Sequence, residues 1–142
     1  MRFKRLFLLV VLCILFFENV ACGYISDADR AIILEVSKEY SLNVEESILL
    51  LAIRQAENGG DGVEFGIINK EARRYAGDHE KSLRLQAQWC AGTIKKRHNC
   101  DLIRFSRRYC PIGCDNDNGT NQYWLKNVRY FIKKEKERGV AT

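Results

Sequence analysis

The chain has 142 residues, 46% hydrophobic and 29% charged, with one proline, a composition that fits one compact domain and excludes a disordered or repetitive chain. Lysine and arginine number 23 against 18 aspartate and glutamate, a net charge of +5. That excess is too small and too evenly spread to mark a nucleic-acid binder.

Residues 1–23 stand apart from the rest. Arg2, Lys4 and Arg5 make a basic start, Leu6 to Phe17 is a run of twelve apolar residues, and Ala21 and Gly23 are small residues at a possible cleavage site. This is the pattern of a signal peptide, and the apolar run falls short of the ~20 residues that a membrane-spanning helix needs. The expectation is an exported protein, periplasmic or extracellular, whose mature domain is 24–142 and has no membrane span. Val20-Ala21-Cys22 resembles the end of a lipobox, with Asn19 where that motif has an aliphatic residue. The leader takes three basic residues and one acidic residue with it, so the mature part is close to neutral.

Loss of Cys13 and Cys22 leaves Cys90, Cys100, Cys110 and Cys114, an even set within 25 residues. In an exported domain this suggests two disulfides. Of the three possible pairings, Cys90 with Cys100 and Cys110 with Cys114 is favoured. A zinc site built with His98 is the rival, but the spacings are unlike the paired C-x-x-C arrangement, so no metal and no other cofactor is expected.

In chain order, Ser26 to Asp29 open a helix carrying Ala31, Ile32, Ile33, Leu34 and Val36 as far as about Tyr40. Asn43 and Glu46 have capping-box spacing ahead of Ile48 to Ala56. This second helix is apolar nearly all round and is expected at the centre of the core. Asn58 to Gly62, with three glycines, ends it at Glu57. Val63 to Ile68 reads as a brief extended segment or hairpin arm. A long helix follows from Glu80 to about Arg97, with Trp89 expected in the core, and a short one from Asp101 to Tyr109, stopped by Pro111 and Gly113. Thr120 is placed to cap a last helix that runs from Tyr123 to about Arg138. The fold class is all-α with one glycine-rich excursion.

Glu57 is the first candidate for chemistry. It ends an apolar helix, so its carboxyl emerges at the edge of the core, where desolvation raises a carboxyl pKa and suits it to hold a proton for general acid catalysis. The glycines after it leave room for a ligand to approach the backbone. His79 and His98 have no carboxylate or serine partner at a telling spacing, and neither a phosphate loop nor a nucleophile elbow is present.

Ile53-Arg54-Gln55-Ala56-Glu57-Asn58-Gly59-Gly60, followed by Glu64-Phe65-Gly66-Ile67, resembles the catalytic motif of the lysozyme-like lytic transglycosylases and is similar to that of bacterial N-acetylglucosaminidases. Tyr109-Cys110-Pro111-Ile112-Gly113 resembles the Tyr-Asn-Ala-Gly segment of the transglycosylases, and Tyr123 to Val128 resembles their closing helix. Asn58 stands in place of the usual Ser, Phe65-Gly66-Ile67 in place of a Gly-Leu-Met-Gln turn, and Cys110 in place of Asn.

The resemblance implies a lysozyme-like domain that cleaves peptidoglycan between N-acetylmuramic acid and N-acetylglucosamine. Glu57 would be the general acid and Tyr109 would orient it, while Glu64, Phe65, Gly66, Tyr123 and Trp124 would meet the substrate. A lytic transglycosylase needs no second carboxylate, whereas a hydrolase of the inverting type needs one to activate water, and Asp61 and Glu64 are nearest in sequence. A hydrolytic N-acetylglucosaminidase or muramidase is the alternative, as is an inactive secreted glycan-binding module. The expected partner is the peptidoglycan glycan strand, bound by a monomer. The basic residues Lys95, Lys96, Arg97, Arg104, Arg107 and Arg108 would attract an anionic wall polymer.

Overall fold

The computed structural model describes residues 25–97, 101–115 and 117–139. The expected leader, Cys22, His98 and Cys100 lie outside the described residues. Five helices follow one another: α1 (Asp27–Glu39), α2 (Val44–Glu57), α3 (His79–Arg97), α4 (Leu102–Tyr109) and α5 (Asn121–Arg138). No strand occurs among the described residues, so the domain is all-α.

Local chemistry sets the helix ends. The Ser26 hydroxyl accepts from the Asp29 amide. Asn43 and Glu46 form both halves of a capping box, which satisfies two of the amides that a helix start leaves unpaired. Asp101 caps α4 through the Arg104 amide. The cap expected from Thr120 is not made. Its hydroxyl donates to Asn118 Oδ1 instead, and Asp117 Oδ1 accepts from the Asn121 amide.

The central position expected for α2 is borne out, since Glu46 through Gln55 are all buried and the helix packs chiefly against α5, with α3 and α1 also in contact. Ile33, Leu50, Ile53, Leu83, Ile94 and Val128 fill the space between these helices. A polar crossing runs through the same core. Gln55 donates to Glu135, which pairs with Arg30, so α2, α5 and α1 are joined by one buried carboxylate. Trp89 is not in the core; it is 43% exposed. The inward stripe of α3 is Leu83, Ala87, Cys90, Ala91 and Ile94, and Trp89 lies about 100° round the helix from Cys90.

The excursion between α2 and α3 is a chain of turns. The hairpin arm expected over Val63 to Ile68 is absent because the backbone closes on itself there. The Val63 amide donates to the Gly60 carbonyl and the Gly66 amide to the Val63 carbonyl, while Gly62 and Gly66 take φ of 84° and 70°, a region that costs a side chain strain.

One side chain holds these turns to the helices. Gln86, fully buried on α3, accepts from the Phe65 and Ile67 amides and donates to the carbonyls of Gly62, Ile67 and Ala72. One turn earlier, the buried Ser82 hydroxyl accepts from the Gly62 amide. Gln86→Ala would strand several buried backbone groups, each worth ~1–3 kcal/mol when unpaired. We expect it to lower the unfolding free energy by on the order of 3 kcal/mol in urea melts. A loss of only a few tenths would show that water replaces the amide without penalty.

Candidate active site

Three pieces of chain meet at Glu57: the end of α2, the turn at Gly66 and the first turns of α5. Asn58 adopts the left-handed conformation, φ 44° and ψ 33°, with its amide on the Arg54 carbonyl, and so turns the chain sharply away from the Glu57 side chain. The Trp124 indole N–H donates to Glu57 Oε1 at 2.6 Å. Opposite, Gly66 lies so close that a Cβ there would stand 2.4 Å from Glu57 Oε2. Close approach and positive φ together restrict this position to glycine.

The carboxyl is therefore enclosed on two sides and partly dry. Burial pushes its pKa above the usual glutamate value, and the Trp124 hydrogen bond opposes that shift by favouring the charged form. Trp124 is held by neighbours of its own kind, with the Phe105 and Tyr109 rings at centroid distances of 6.4 and 5.4 Å. Tyr109 is directed at the loop. Its hydroxyl donates to the Phe65 carbonyl at 2.8 Å, and burial raises the phenol well above its ordinary pKa. Tyr109 is thus a positioning residue that fixes Phe65 next to Gly66 and packs on the indole; the structure gives it no hydrogen bond to Glu57.

The other expected site residues divide. Gly66 and Tyr123 are accessible, the latter 54% exposed. Phe65 is fully buried and serves the core. Trp124 is only 5% exposed, so it offers no flat face to a sugar and acts through its N–H. Glu64 is 1% exposed, and its Oε1 accepts from the Gly62 amide at 3.1 Å. The tight turn folds its side chain inward, toward the buried Arg54, whose charge faces Glu64 and Asp29. Asp61 accepts from the Gly77 amide. Both candidates for a second carboxylate are thus engaged by the loop itself.

Cys90, Cys110 and Cys114 are free thiols. The expected bridge between Cys110 and Cys114 is not formed. Hydrogen bonds hold that loop instead, from the Gly113 and Gly119 amides to Asp117 and from Asn121 Nδ2 to the Pro111 carbonyl. Burial pushes the thiols of Cys90 and Cys110 up to about 12, which keeps them protonated and unreactive at neutral pH. No cluster of His, Cys, Asp and Glu that would hold a metal occurs among the described residues.

Sequence reasoning missed Gln86 and Ser82. The available signal was their spacing, one helical turn apart at the edge of the apolar stripe of α3. It also missed that Trp124 is the carboxyl's donor. Comparison of the chain with models of protein families, with curated proteins and with solved structures finds no match.

A carboxyl held in this way can release a proton to a ligand atom and recover one in the next step. As an acid it acts only while protonated, so its activity declines as pH rises through its pKa. Trp124→Phe keeps the aromatic stack and removes the one hydrogen bond that favours the carboxylate. If Glu57 serves as a general acid, the falling limb of its pH–rate profile should move to higher pH, with a lower maximum. A limb that stays in place or moves down would show that the indole does not govern Glu57.

Proposed function

We propose that the chain is an exported enzyme that cleaves the glycosidic bond between N-acetylmuramic acid and N-acetylglucosamine in peptidoglycan, acting as a lytic transglycosylase on a lysozyme-like domain. The observation that carries this reading is the half-buried Glu57 carboxyl, held by Trp124 and Gly66, while Glu64 is folded into the interior with Oε1 on the Gly62 amide and Asp61 accepts from the Gly77 amide. That arrangement supports the form of the reaction that uses one carboxylate. The basic and apolar pattern of residues 1–23 supports export.

The steps balance without water. Glu57 gives its proton to the glycosidic oxygen as the bond from that oxygen to C1 of the muramoyl sugar breaks, and the N-acetylglucosamine side leaves with a free hydroxyl. The Glu57 carboxylate then takes the proton from the muramoyl 6-hydroxyl as that oxygen bonds to C1, which leaves a 1,6-anhydro end and a Glu57 ready for another turn. Enclosure by Gly66 and Trp124 raises the carboxyl's proton affinity for the first step, and the indole N–H steadies the anion between the two.

Digestion of purified cell walls, followed by mass analysis of the fragments, tests this. We expect muramoyl ends lighter by one water than hydrolytic ends, and a loss of at least about 10²-fold in rate for Glu57→Gln, as for removal of a general acid. Reducing ends that have gained water would make the chain a hydrolase. No fragments from the native chain would make it a binding module.

A further inference from the structure

The exposed face of α3 carries a built hollow that the chemistry at Glu57 does not use. Leu85, Gln88, Trp89, Gly92, Thr93, Lys96 and Arg97 recur at helical spacing along one stripe and, with Tyr40, enclose about 430 Å³. Gly92 leaves open the space beside the Tyr40 ring, where a Cβ would sit in ordinary contact at 3.4 Å. Trp89 forms part of the wall and is partly open to solvent. A second hollow of about 300 Å³ shares Thr93 and Arg97 with the first and continues over Phe105 and Arg108 to Tyr109, the residue that fixes the Glu57 loop. Both volumes fall in or near the range of small-molecule sites, ~300–1,000 Å³.

The charges along this groove are unequally matched. At the α1 end, Glu35 and Glu39 are taken up by Arg84, and Gln88 also donates to Glu39. At the other end, Lys96, Arg97 and Arg108 line the walls, and Lys96 and Arg108 have no carboxylate partner among the described residues. Aromatic walls with cations at one end suit a ligand with flat apolar ring faces and negative charge.

We propose that this groove is a second saccharide subsite, which binds a carboxylate-bearing amino-sugar strand with a ring against Trp89 and Tyr40 and its anionic groups at Lys96, Arg97 and Arg108. The inference rests on the glycan-cleaving reading for the identity of the polymer. It adds a place, outside the Glu57 site and adjoining it at Tyr109, where the strand is held while the bond is cut.

The test measures equilibrium binding by calorimetry in a Glu57→Gln chain, so that no probe is cleaved. The probes are soluble, uncrosslinked peptidoglycan strands that carry stem-peptide carboxylates, and neutral N-acetylglucosamine oligomers. Trp89→Ala should weaken strand binding by at least about tenfold, the loss typical of truncating an aromatic anchor. Lys96→Glu should weaken the strands and leave the neutral oligomers unchanged. Trp89 and Lys96 lie outside the core, so both variants should melt with the parent. Strand affinity that Trp89→Ala leaves unaltered would overturn the subsite, as would strands that do not bind the parent. If the native chain cleaves walls and Trp89→Ala changes nothing, the subsite falls and the enzyme reading stands. Trp89-dependent binding without cleavage by the native chain gives the reverse.

Discussion

The amide of Gln86 is the constraint on which the site depends. A segment of some twenty residues with no regular structure would carry unpaired polar groups into the protein wherever it met the core. Gln86 answers this with both donors and its acceptor, holding five backbone groups from Gly62 to Ala72 against α3. Ser82 adds a sixth contact one turn earlier. Because the loop is tied at its middle, its far side has a fixed place, and that far side is Gly66.

Fixing Gly66 fixes the environment of Glu57. The carboxyl stands between a backbone that admits no side chain and an indole that supplies one hydrogen bond. These two influences act in opposite directions on its charge, since enclosure favours the protonated form and the indole favours the anion. Under the proposed reaction, in which Glu57 gives up and recovers a proton, this opposition serves both steps. Tyr109 links the halves of the arrangement, because its hydroxyl holds the Phe65 carbonyl and its ring lies on Trp124.

The helices were legible because their signals are local. Asn43 and Glu46 announce a start, the apolar run from Ile48 to Ile53 announces burial, and the glycines after Asn58 announce an end, so the placing of Glu57 at a helix terminus could be derived from spacing. Residues whose role depends on direction were not legible. The spacing of α5 puts Trp124 near the site but does not say whether its ring face or its N–H points there. Glu64 was expected to meet the substrate, yet a turn as tight as Val63 to Gly66 carries it inward to the Gly62 amide. Gln86 was easy to pass over, because a glutamine on a helix is ordinarily a solvated residue and only its spacing from Ser82 at the edge of the apolar stripe sets it apart. Trp89 misled in the opposite sense, since a large apolar side chain suggests the core and this one lies beside an open groove.

The central claim is that enclosure by the Gly66 turn outweighs the Trp124 hydrogen bond and leaves Glu57 with a raised proton affinity. Carbon-13 labelling of the glutamate side-chain carboxyls, with Glu57 assigned by its absence in Glu57→Gln, follows this group directly by NMR as pH is varied. The account predicts a Glu57 midpoint above those of the exposed glutamates in the same spectrum. A midpoint equal to theirs or below it would contradict the account, because the carboxyl would then be solvated and already charged at neutral pH.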